Sequence, residues 1–560
     1  MRELTTSKTI IGIDLGTTNS CMAVMKNGRP TIIPTTEGAR SVPSVVAITE
    51  KGKVITGDLA KVQAATNTQG TFFLKKKILG SESKIAVGDT EFTSEEIFAV
   101  LLQNLFEKLK IDAENYLKEK VTEVVIGVPT CMLEHQYVPI EEAAKAVGLE
   151  VVRVVNDSML TALAYSFEHN YREEERILIF DLGGGTLSIS VVELGDGMVV
   201  PLSVTGENTL GGNEFDEKIL EYVLEEFKER EGIDLSADVI ALQRIREAAE
   251  RAKIELSSST ATNIEVPFVI EAHDGWKHIN IELTRRKFEE LIKKLLKKMA
   301  HQVKRALSEA GMNVEDTSQK LNKVLVAGES VRVPAIGKML EKITGKKVSW
   351  KVNPAESVAL GAAIQGGKLG GVKETENILM LDALSLSLAI ETRDGVATKI
   401  IPRNNIIPKE QSLLVSTVKD NQRAIDISIV QGERAFTKDN TLISIFRIVG
   451  IPSAPKGIPQ IKVTFHIDQN RKLDVSAANL EGEGELKVTK ISNFSKVGRE
   501  SFPFVIKKIG EQESSLHSRQ VEEEGSFYCD EEVEDLQHSN RNKKEVEDDH
   551  LIKILPVFDK

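Results

Sequence analysis

The sequence predicts an α/β domain, followed by an all-β sandwich and a short acidic tail. Strands alternate with helices from residue 10 to about residue 367, which is typical of α/β proteins. Apolar and polar residues then alternate in short runs such as residues 425–429, and polar turns separate these runs, which predicts the strands of an all-β domain. After about residue 490 the alternation ends, and acidic runs such as residues 530–535 predict a mostly disordered tail.

The composition is that of a soluble globular protein with several domains. The chain has 560 residues, 41% of them hydrophobic and 28% charged, and its net charge is −12 at pH 7. An acidic balance argues against nucleic acid and anionic membranes as partners. Three cysteines are too few for a disulfide framework, and the N-terminus MRELTTSK lacks the apolar core of a signal peptide. We therefore expect a cytoplasmic protein that binds neither nucleic acid nor membrane.

Two similar turns follow buried strands in the α/β domain. The first lies in IIGIDLGTTNS (residues 10–20) and the second in ILIFDLGGGTLSIS (residues 177–190), while a third turn, AGES (residues 327–330), follows the strand KVLV. Glycines let backbone N–H groups approach phosphate oxygens, and a neighbouring carboxylate can hold the accompanying cation. The two Asp-Leu-Gly turns predict a duplicated domain that grips a di- or triphosphate and Mg²⁺ from both sides. One such turn alone is equally compatible with a plain glycine hairpin.

Two helices carry recognisable local patterns. Thr93 and Glu96 have the spacing of a capping box, and an apolar stripe at helical spacing follows them. Glu250, Lys253 and Ser257 share one face of a later helix. By itself this second pattern is more typical of a solvated face with an ordinary ion pair.

A glycine-rich, charged stretch at residues 366–377 has the composition of a linker. It runs directly into the apolar segment ILML, residues 378–381, which is unusually apolar for a linker. We therefore predict that this segment docks on another part of the protein.

Six segments, taken in order, resemble the heat-shock protein 70 chaperones, most closely the bacterial DnaK type. They are IGIDLGTTNSC, DLGGGT, LGGNEFD, ERAKIELSS, VNPAESVALGAAIQGG and ILMLD. The resemblance implies an actin-like two-lobed ATPase domain (residues 7–367), an interdomain linker (368–382), a β-sandwich that binds peptides (383–490) and a degenerate or disordered tail (491–560). It also implies an ATP-dependent chaperone of unfolded proteins whose grip on apolar segments is loosened by ATP binding and tightened by slow hydrolysis.

The resemblance further implies a nucleotide site with ATP or ADP and Mg²⁺ as cofactors, and K⁺ as a further candidate cation. The residues expected to hold the phosphates and the nucleoside are Asp14, Gly16, Thr17, Thr18, Asn19, Gly183, Gly184, Gly185, Gly211, Gly212, Glu250, Lys253, Ser257, Gly328 and Arg332. Asp14 and Asp181 would hold Mg²⁺ through water. The residues expected to act in hydrolysis are Lys76, Asp157, Asp181 and Thr186.

The peptide cleft and the partner surface are implied in the same way. The residues that match the cleft lining are Ile390, Arg393, Val415, Val418, Ile425 and Ile427, although the apolar ones are equally explained as core. Arg153, Asn156 and Asp382 match positions that meet a J-domain co-chaperone, and a nucleotide-exchange factor is a second expected partner. The linker residues expected to respond to nucleotide are Ile378, Leu379, Met380 and Leu381.

Several positions depart from the family pattern. Ser188 stands where the family has an aspartate near the cation, and Asp157 stands where a longer glutamate orients the attacking water. Tyr137 replaces an arginine that couples the two domains, Ser158 replaces a proline, and no helical lid is recognisable. Two functions therefore stay open, an ATP-dependent chaperone with impaired turnover and an ATP-binding, weakly hydrolysing holdase or regulatory scaffold. A sugar or glycerol kinase would fit the two turns but neither the β-sandwich nor the linker.

Overall fold

The computed structural model describes residues 8–49, 52–74, 84–87, 90–130, 132, 134–169, 174–313, 317–480, 485–491 and 553–554. These residues form two compact units. The first contains the described residues up to 132 and from 136 to 385, and the second contains residues 134–135 and the described residues from Leu386 onwards. Helices and strands alternate in the first unit, whereas the described residues from Leu386 onwards form strands and two short 3-10 helices. The predicted change from α/β to all-β structure along the chain is therefore confirmed.

The secondary structure of the first unit comprises twenty strands and eleven α-helices among its described residues. The strands are β1 (Ile11–Asp14), β2 (Asn19–Lys26), β3 (Arg29–Ile32), β4 (Val42–Pro43), β5 (Val45–Ile48), β6 (Val54–Thr56), β7 (Thr71–Phe73), β8 (Lys84–Val87), β9 (Thr90–Thr93), β10 (Glu123–Val128), β11 (Glu150–Asn156), β12 (Glu175–Leu182), β13 (Leu187–Gly195), β14 (Met198–Glu207), β15 (Ala261–Ala272), β16 (Gly275–Thr284), β17 (Lys323–Ala327), β18 (Val348–Ser349), β19 (Leu379–Met380) and β20 (Asp382–Ala383). The helices are α1 (Asp58–Val62), α2 (Ser94–Leu117), α3 (Glu134–Ala146), α4 (Asp157–His169), α5 (Gly212–Glu231), α6 (Val239–Ser258), α7 (Arg285–Leu291), α8 (Lys293–Glu309), α9 (Thr317–Lys320), α10 (Pro334–Thr344) and α11 (Ser357–Leu369). None of these helices is both long and apolar enough to cross a membrane.

Two six-stranded sheets form the centre of the first unit, and five strands of each share one topology. The first has the order β11-β10-β1-β2-β3, with β4 paired to β2, and the second has the order β18-β17-β12-β13-β14-β19. In each sheet the strand that ends in Asp-Leu-Gly runs antiparallel to the strand that follows it. Each also runs parallel to a strand from later in the chain. This correspondence supports the predicted duplication.

Glycines allow helix α11 to pack closely against both β1 and α4. A Cβ atom at Gly12 of β1 would lie 2.2 Å from the backbone nitrogen of Ala363. A Cβ atom at Gly361 would lie 2.0 Å from the carbonyl oxygen of Leu160 on α4. Neither position therefore tolerates a side chain without a shift of the backbone, because such distances are far below van der Waals contact.

The predicted capping box begins helix α2. Thr93 Oγ1 accepts a hydrogen bond from the backbone nitrogen of Glu96 at 3.1 Å, and the backbone nitrogen of Thr93 donates to Glu96 Oε2 at 2.7 Å. The apolar stripe that follows is buried. This prediction is confirmed, because both halves of the box are present.

The apolar linker segment forms strand β19 at the edge of the second sheet. It runs parallel to the start of β14, with Leu379 beside Met198 and Met380 beside Val199. The backbone nitrogen of Leu379 donates to the carbonyl of Gly197 at 2.9 Å. Met380 is buried in the apolar core of the first unit. The prediction that this segment docks is therefore confirmed.

The second unit is built from antiparallel strands. They are β21 (Leu388–Glu391), β22 (Ala397–Ile401), β23 (Ile406–Ile407), β24 (Lys409–Ser416), β25 (Ala424–Gln431), β26 (Thr441–Val449), β27 (Ile461–Ile467), β28 (Leu473–Asn479), β29 (Glu485–Ile491) and β30 (Lys553–Ile554). Nine of them pair in the order β22-β21-β25-β26-β29-β28-β27-β24-β30. In β27 the side chains alternate, so that Ile461, Val463 and Phe465 are buried while Lys462 is exposed. This is the period of two that the sequence predicts for strands.

The acidic tail falls almost entirely outside the described residues. Lys553–Ile554 is the exception, because it forms strand β30 rather than a disordered segment. The remaining part of the tail prediction is not addressed by the described part of the chain.

Candidate functional site

A cavity of about 300 Å³ lies in the first unit at the ends of strands β1 and β12. Most of the residues expected to act on a nucleotide line it. They are Asp14, Gly16, Thr17, Thr18, Asn19, Asp157, Asp181, Gly183, Gly184, Thr186, Glu250, Lys253, Ser257, Gly328 and Arg332. Gly185, Gly211 and Gly212 do not line it, and Lys76 lies outside the described residues.

The two Asp-Leu-Gly turns face each other directly at this cavity. A Cβ atom at Gly184 would lie 2.0 Å from Thr18 Oγ1, and one at Gly185 would lie 3.1 Å from Thr17 Cγ2. Gly184 is therefore required for the turns to approach this closely. Two threonine hydroxyls and a glycine turn, brought together in this way, provide donors for phosphate oxygens on both sides.

Gly211 and Gly212, at the start of α5, lie against the backbone of the second turn. The backbone nitrogen of Gly212 donates to the carbonyl of Gly183 at 3.0 Å, and that of Asn213 donates to the carbonyl of Gly184 at 2.7 Å. A Cβ atom at Gly211 would lie 2.4 Å from the Gly184 carbonyl oxygen. The N-terminus of α5 thus holds the carbonyls of the second turn in place.

The third turn also holds the second one. Ser330 Oγ donates to the carbonyl of Gly183 at 2.9 Å. Gly328 has a φ of +76°, and a Cβ atom there would lie 2.9 Å from Asp181 Oδ1. The glycine therefore satisfies two requirements, a left-handed backbone and close approach to the carboxylate.

Asp14 and Asp181 occupy matching positions at the ends of β1 and β12. Both line the cavity, and Asp181 is 8% exposed. Among the described residues, no three His, Cys, Asp or Glu side chains cluster as they would to hold a metal by themselves. This arrangement fits Mg²⁺, which in phosphate sites is bound by one or two carboxylates together with phosphate oxygens and water.

The face of α6 that carries Lys253 is not a simple solvated surface. Lys253 Nζ donates to Asp216 Oδ2 at 2.7 Å and to the carbonyl of Gly212 at 3.1 Å, and the Lys253 and Asp216 side chains are 12% and 8% exposed. Burial raises the pKa of Asp216 to about 6, although the Lys253 ammonium opposes this rise. Glu250 on the same face lies 3.5 Å from the Lys61 ammonium.

Ser188 lies in a buried group of hydroxyl side chains rather than in the cavity lining. Its Oγ accepts a hydrogen bond from the backbone nitrogen of Thr130 at 3.0 Å. Thr130 Oγ1 lies 3.3 Å from Ser158 Oγ, which in turn lies 2.6 Å from Ser190 Oγ. All four residues are at most 2% exposed. Ser188 lies opposite Asp181 on the paired strand. This position therefore carries no charge, and its hydroxyl has a hydrogen-bond partner within the fold.

Asp157 and Tyr137, two further departures from the family pattern, are also buried. Asp157 is the first residue of α4 and lines the cavity, and Gly127 of β10 leaves room for it, because a Cβ atom there would lie 2.9 Å from Asp157 Oδ1. Tyr137 is 6% exposed, and its hydroxyl donates to the carbonyl of Met132 at 2.7 Å. Tyr137 therefore stabilises its own segment.

Arg153, Asn156 and Asp382 come together at the end of the linker. Asn156 Nδ2 donates to Asp382 Oδ1 at 2.8 Å, and the backbone nitrogen of Ala383 donates to the same oxygen at 2.8 Å. Burial lowers the pKa of the Arg153 guanidinium, while the Asp382 carboxylate acts in the opposite direction. The structure thus groups these three residues, and their contact with a J-domain stays a prediction.

Sequence reasoning missed several cavity residues, including Cys21, Arg40 and Glu356. Arg40 forms an ion pair with Glu356, and this hydrogen bond holds the pKa of Glu356 below its usual value. Burial, aided by Asp14, raises the pKa of the Cys21 thiol, so it stays protonated. Glu356 lies within the motif VNPAESVALG and could have been found there, whereas Arg40 belongs to a loop without a recognised motif.

The predicted peptide-cleft residues belong to the second unit. Ile390, Val415, Ile425 and Ile427 are fully buried, and Val418 is half-buried. The short helix Arg393–Gly395 follows β21. The buried residues contribute to the core, and their part in peptide binding stays a prediction.

The sequence also matches a model of a known protein family. The model described as Hsp70 protein matches residues 10 to 554, which is nearly the whole chain. The match includes the cavity of the first unit and the antiparallel strands of the second.

Proposed function

The chain belongs to the Hsp70 family, and we propose that it is an ATP-dependent chaperone of the DnaK type that binds extended apolar segments of unfolded proteins. Members of this family are ATPases and chaperones with an actin-like ATPase domain and a peptide-binding β-sandwich, and they use nucleotide and Mg²⁺. The observation that carries the proposal is the close approach of Thr17 and Thr18 to Gly185 and Gly184, beside a cavity that is lined by Asp14 and Asp181.

Different residues of the cavity would hold the phosphates, the cation and the nucleoside of Mg-ATP. The threonine hydroxyls and the second turn would contact the phosphates, the two aspartates would orient the hydrated cation, and Glu250, Lys253, Ser257 and Arg332 would face the nucleoside. When bound, Mg-ATP supplies the phosphoanhydride bond whose cleavage drives the chaperone cycle. Asp157 would orient the water that attacks this bond, and Thr186 would lie beside the second turn.

Coupling between the nucleotide and the peptide grip would operate through the linker. Strand β19 is hydrogen-bonded to β14, and Met380 is buried in the core that also contains Ile177 and Ile179 of β12, the strand that ends at Asp181. A change in nucleotide state that moves the end of β12 would therefore change the stability of the docked linker. A J-domain co-chaperone would engage Arg153, Asn156 and Asp382, and a nucleotide-exchange factor would complete the cycle.

The test is single-turnover hydrolysis of Mg-ATP by the purified chain, with nucleotide binding measured in parallel. The proposal predicts tight binding, slow turnover, acceleration by a J-domain and a linker that becomes resistant to protease when ATP is present. The absence of nucleotide binding would contradict it. Binding with turnover but without any change in linker cleavage would leave an ATPase that is not coupled to the linker.

A second candidate function is favoured by the surroundings of Ser188. The hydroxyl is neutral, 2% exposed and hydrogen-bonded to Thr130, so it offers no charge to a cation in the cavity. The chain would then bind ATP but hydrolyse it weakly, and would act as a holdase or a regulatory scaffold. Tight nucleotide binding without turnover, even with a J-domain, would select this candidate over the first.

A further inference from the structure

Strand β30 pairs with an edge of β24 in the second unit. Along one side β24 pairs with β27 over its length. On the other side it pairs antiparallel with β30, where Ile554 lies opposite Val415 and Lys553 lies opposite Ser416. Strand β24 would be the terminal strand of this sheet if β30 were absent.

This edge has the properties of a peptide-binding site. The edge of a sheet presents unpaired N–H and C=O groups, and an extended peptide can add to it as a further strand. Val415 and Ser416 are both fully buried at this point. The Ser416 hydroxyl finds no hydrogen-bond partner among the described residues, so a polar group remains available there.

The segment that contains β30 differs from the rest of the tail. Residues 551–558 read LIKILPVF, in which six of eight residues are apolar, while acidic runs occupy residues 522–524, 530–535 and 545–550. The first five residues of this run, 551–555, end before Pro556, and proline cannot donate a hydrogen bond in a strand. The segment 551–555 therefore has the apolar composition of a chaperone client, and its residues Lys553–Ile554 form a strand.

We propose that strand β30, Lys553–Ile554, occupies the edge of β24 as an internal competitor, which a client peptide must displace. This inference rests on the proposed function, because it concerns how access of clients to the same peptide cleft, at Val415, is regulated. The competitor is part of the chain, so its occupancy does not depend on protein concentration. The apparent affinity for a client falls in proportion to the fraction of molecules whose edge is open, so an edge that is open in about a tenth of molecules weakens binding about tenfold.

The test uses the full-length chain and a double variant, Lys553→Pro with Ile554→Pro. Two prolines remove both backbone N–H groups of β30 and prevent its pairing without changing β24. The matched control is Lys543→Pro with Lys544→Pro, which adds two prolines to the same C-terminal segment away from β30. Hydrogen exchange at residues 409–416 reports the pairing, and the anisotropy of a fluorescein-labelled LIKILPVF peptide reports access to the edge.

We expect the Lys553/Ile554 variant to lose protection at residues 415–416 and to bind the peptide about tenfold more tightly than the native chain and the control. If residues 415–416 are equally protected from hydrogen exchange in the variant and the native chain, the pairing of β30 with β24 is wrong, whatever affinity is measured for the peptide. Lost protection with unchanged peptide affinity would overturn the competition. Lost protection without peptide binding by any of the proteins would also overturn the competition, and it would show separately that the proposed client cleft is wrong.

Discussion

Asn156 Nδ2 donates a hydrogen bond to Asp382 Oδ1 at 2.8 Å. This contact joins residues 226 positions apart, one at the end of β11 and one at the end of the linker. Asn156 immediately precedes Asp157, the residue expected to orient the attacking water. The linker is therefore anchored one residue away from the proposed catalytic position.

Asn156→Ala is expected to release the linker. A hydrogen bond to a charged group contributes about 1.5–3 kcal/mol, so its loss should increase the undocked fraction by roughly 10- to 100-fold. Limited proteolysis at residues 378–381 measures this fraction. Asn104→Ala is the control, since Asn104 Nδ2 donates to Val100 at 2.8 Å within α2 and does not contact the linker. Equal cleavage of the two variants would contradict the prediction.

Gly184→Ala is expected to weaken nucleotide binding at least about tenfold. The new methyl group would lie 2.0 Å from Thr18 Oγ1 and would force the two turns apart. Gly183→Ala is a comparison within the same turn, because the nearest atom to its Cβ would be Thr186 Oγ1 at 3.8 Å. Titration calorimetry with Mg-ADP measures both affinities. If Gly183→Ala loses as much affinity as Gly184→Ala, closure of the turns is not the cause.

Ser188→Asp combined with Asp157→Glu is expected to increase single-turnover hydrolysis at least about tenfold. Position 188 lies opposite Asp181 on the paired strand, so an aspartate there would add a negative charge next to the carboxylate expected to hold the cation. The longer side chain at position 157 would bring a carboxylate nearer to the attacking water. Ser188→Ala separates the roles of the hydroxyl, since it should lower stability by leaving the Thr130 nitrogen unsatisfied without changing turnover. A double variant that binds Mg-ATP normally but turns over no faster would show that these positions do not limit hydrolysis.

Asp216 is expected to make the stability of the fold depend on pH. Burial raises its pKa from 3.8 to about 6, so the folded protein binds this proton more tightly than the unfolded chain. The contribution to stability is fully present below pH 3.8 and is lost as the pH rises through 6, and it amounts to about 3 kcal/mol at most. Urea unfolding of the native chain and of Asp216→Asn should therefore show that the native chain gains relative to the variant between pH 7 and pH 4. A constant difference across this range would contradict the assignment.

Local patterns in the sequence were sufficient for the fold class, the capping box at Thr93, the two Asp-Leu-Gly turns and the docking of the apolar linker. Each of these depends on side chains within one strand, one turn or one helix, where backbone geometry follows from neighbouring residues. The family pattern also identified most of the residues that line the cavity. Arg40 was missed because nothing in its own loop distinguishes it.

The tertiary structure alone decided which distant groups meet. Gly184 lies against Thr18, Thr130 donates to Ser188, and Ile554 pairs opposite Val415, although each pair is more than 50 residues apart in the chain. Such contacts depend on how sheets and helices pack, and a local pattern contains no information about its partner across the fold. The sequence therefore determined which chemical groups this protein carries, and the packing decided that the serine at 188 is satisfied by the backbone and that a strand from the tail covers an edge of the β domain.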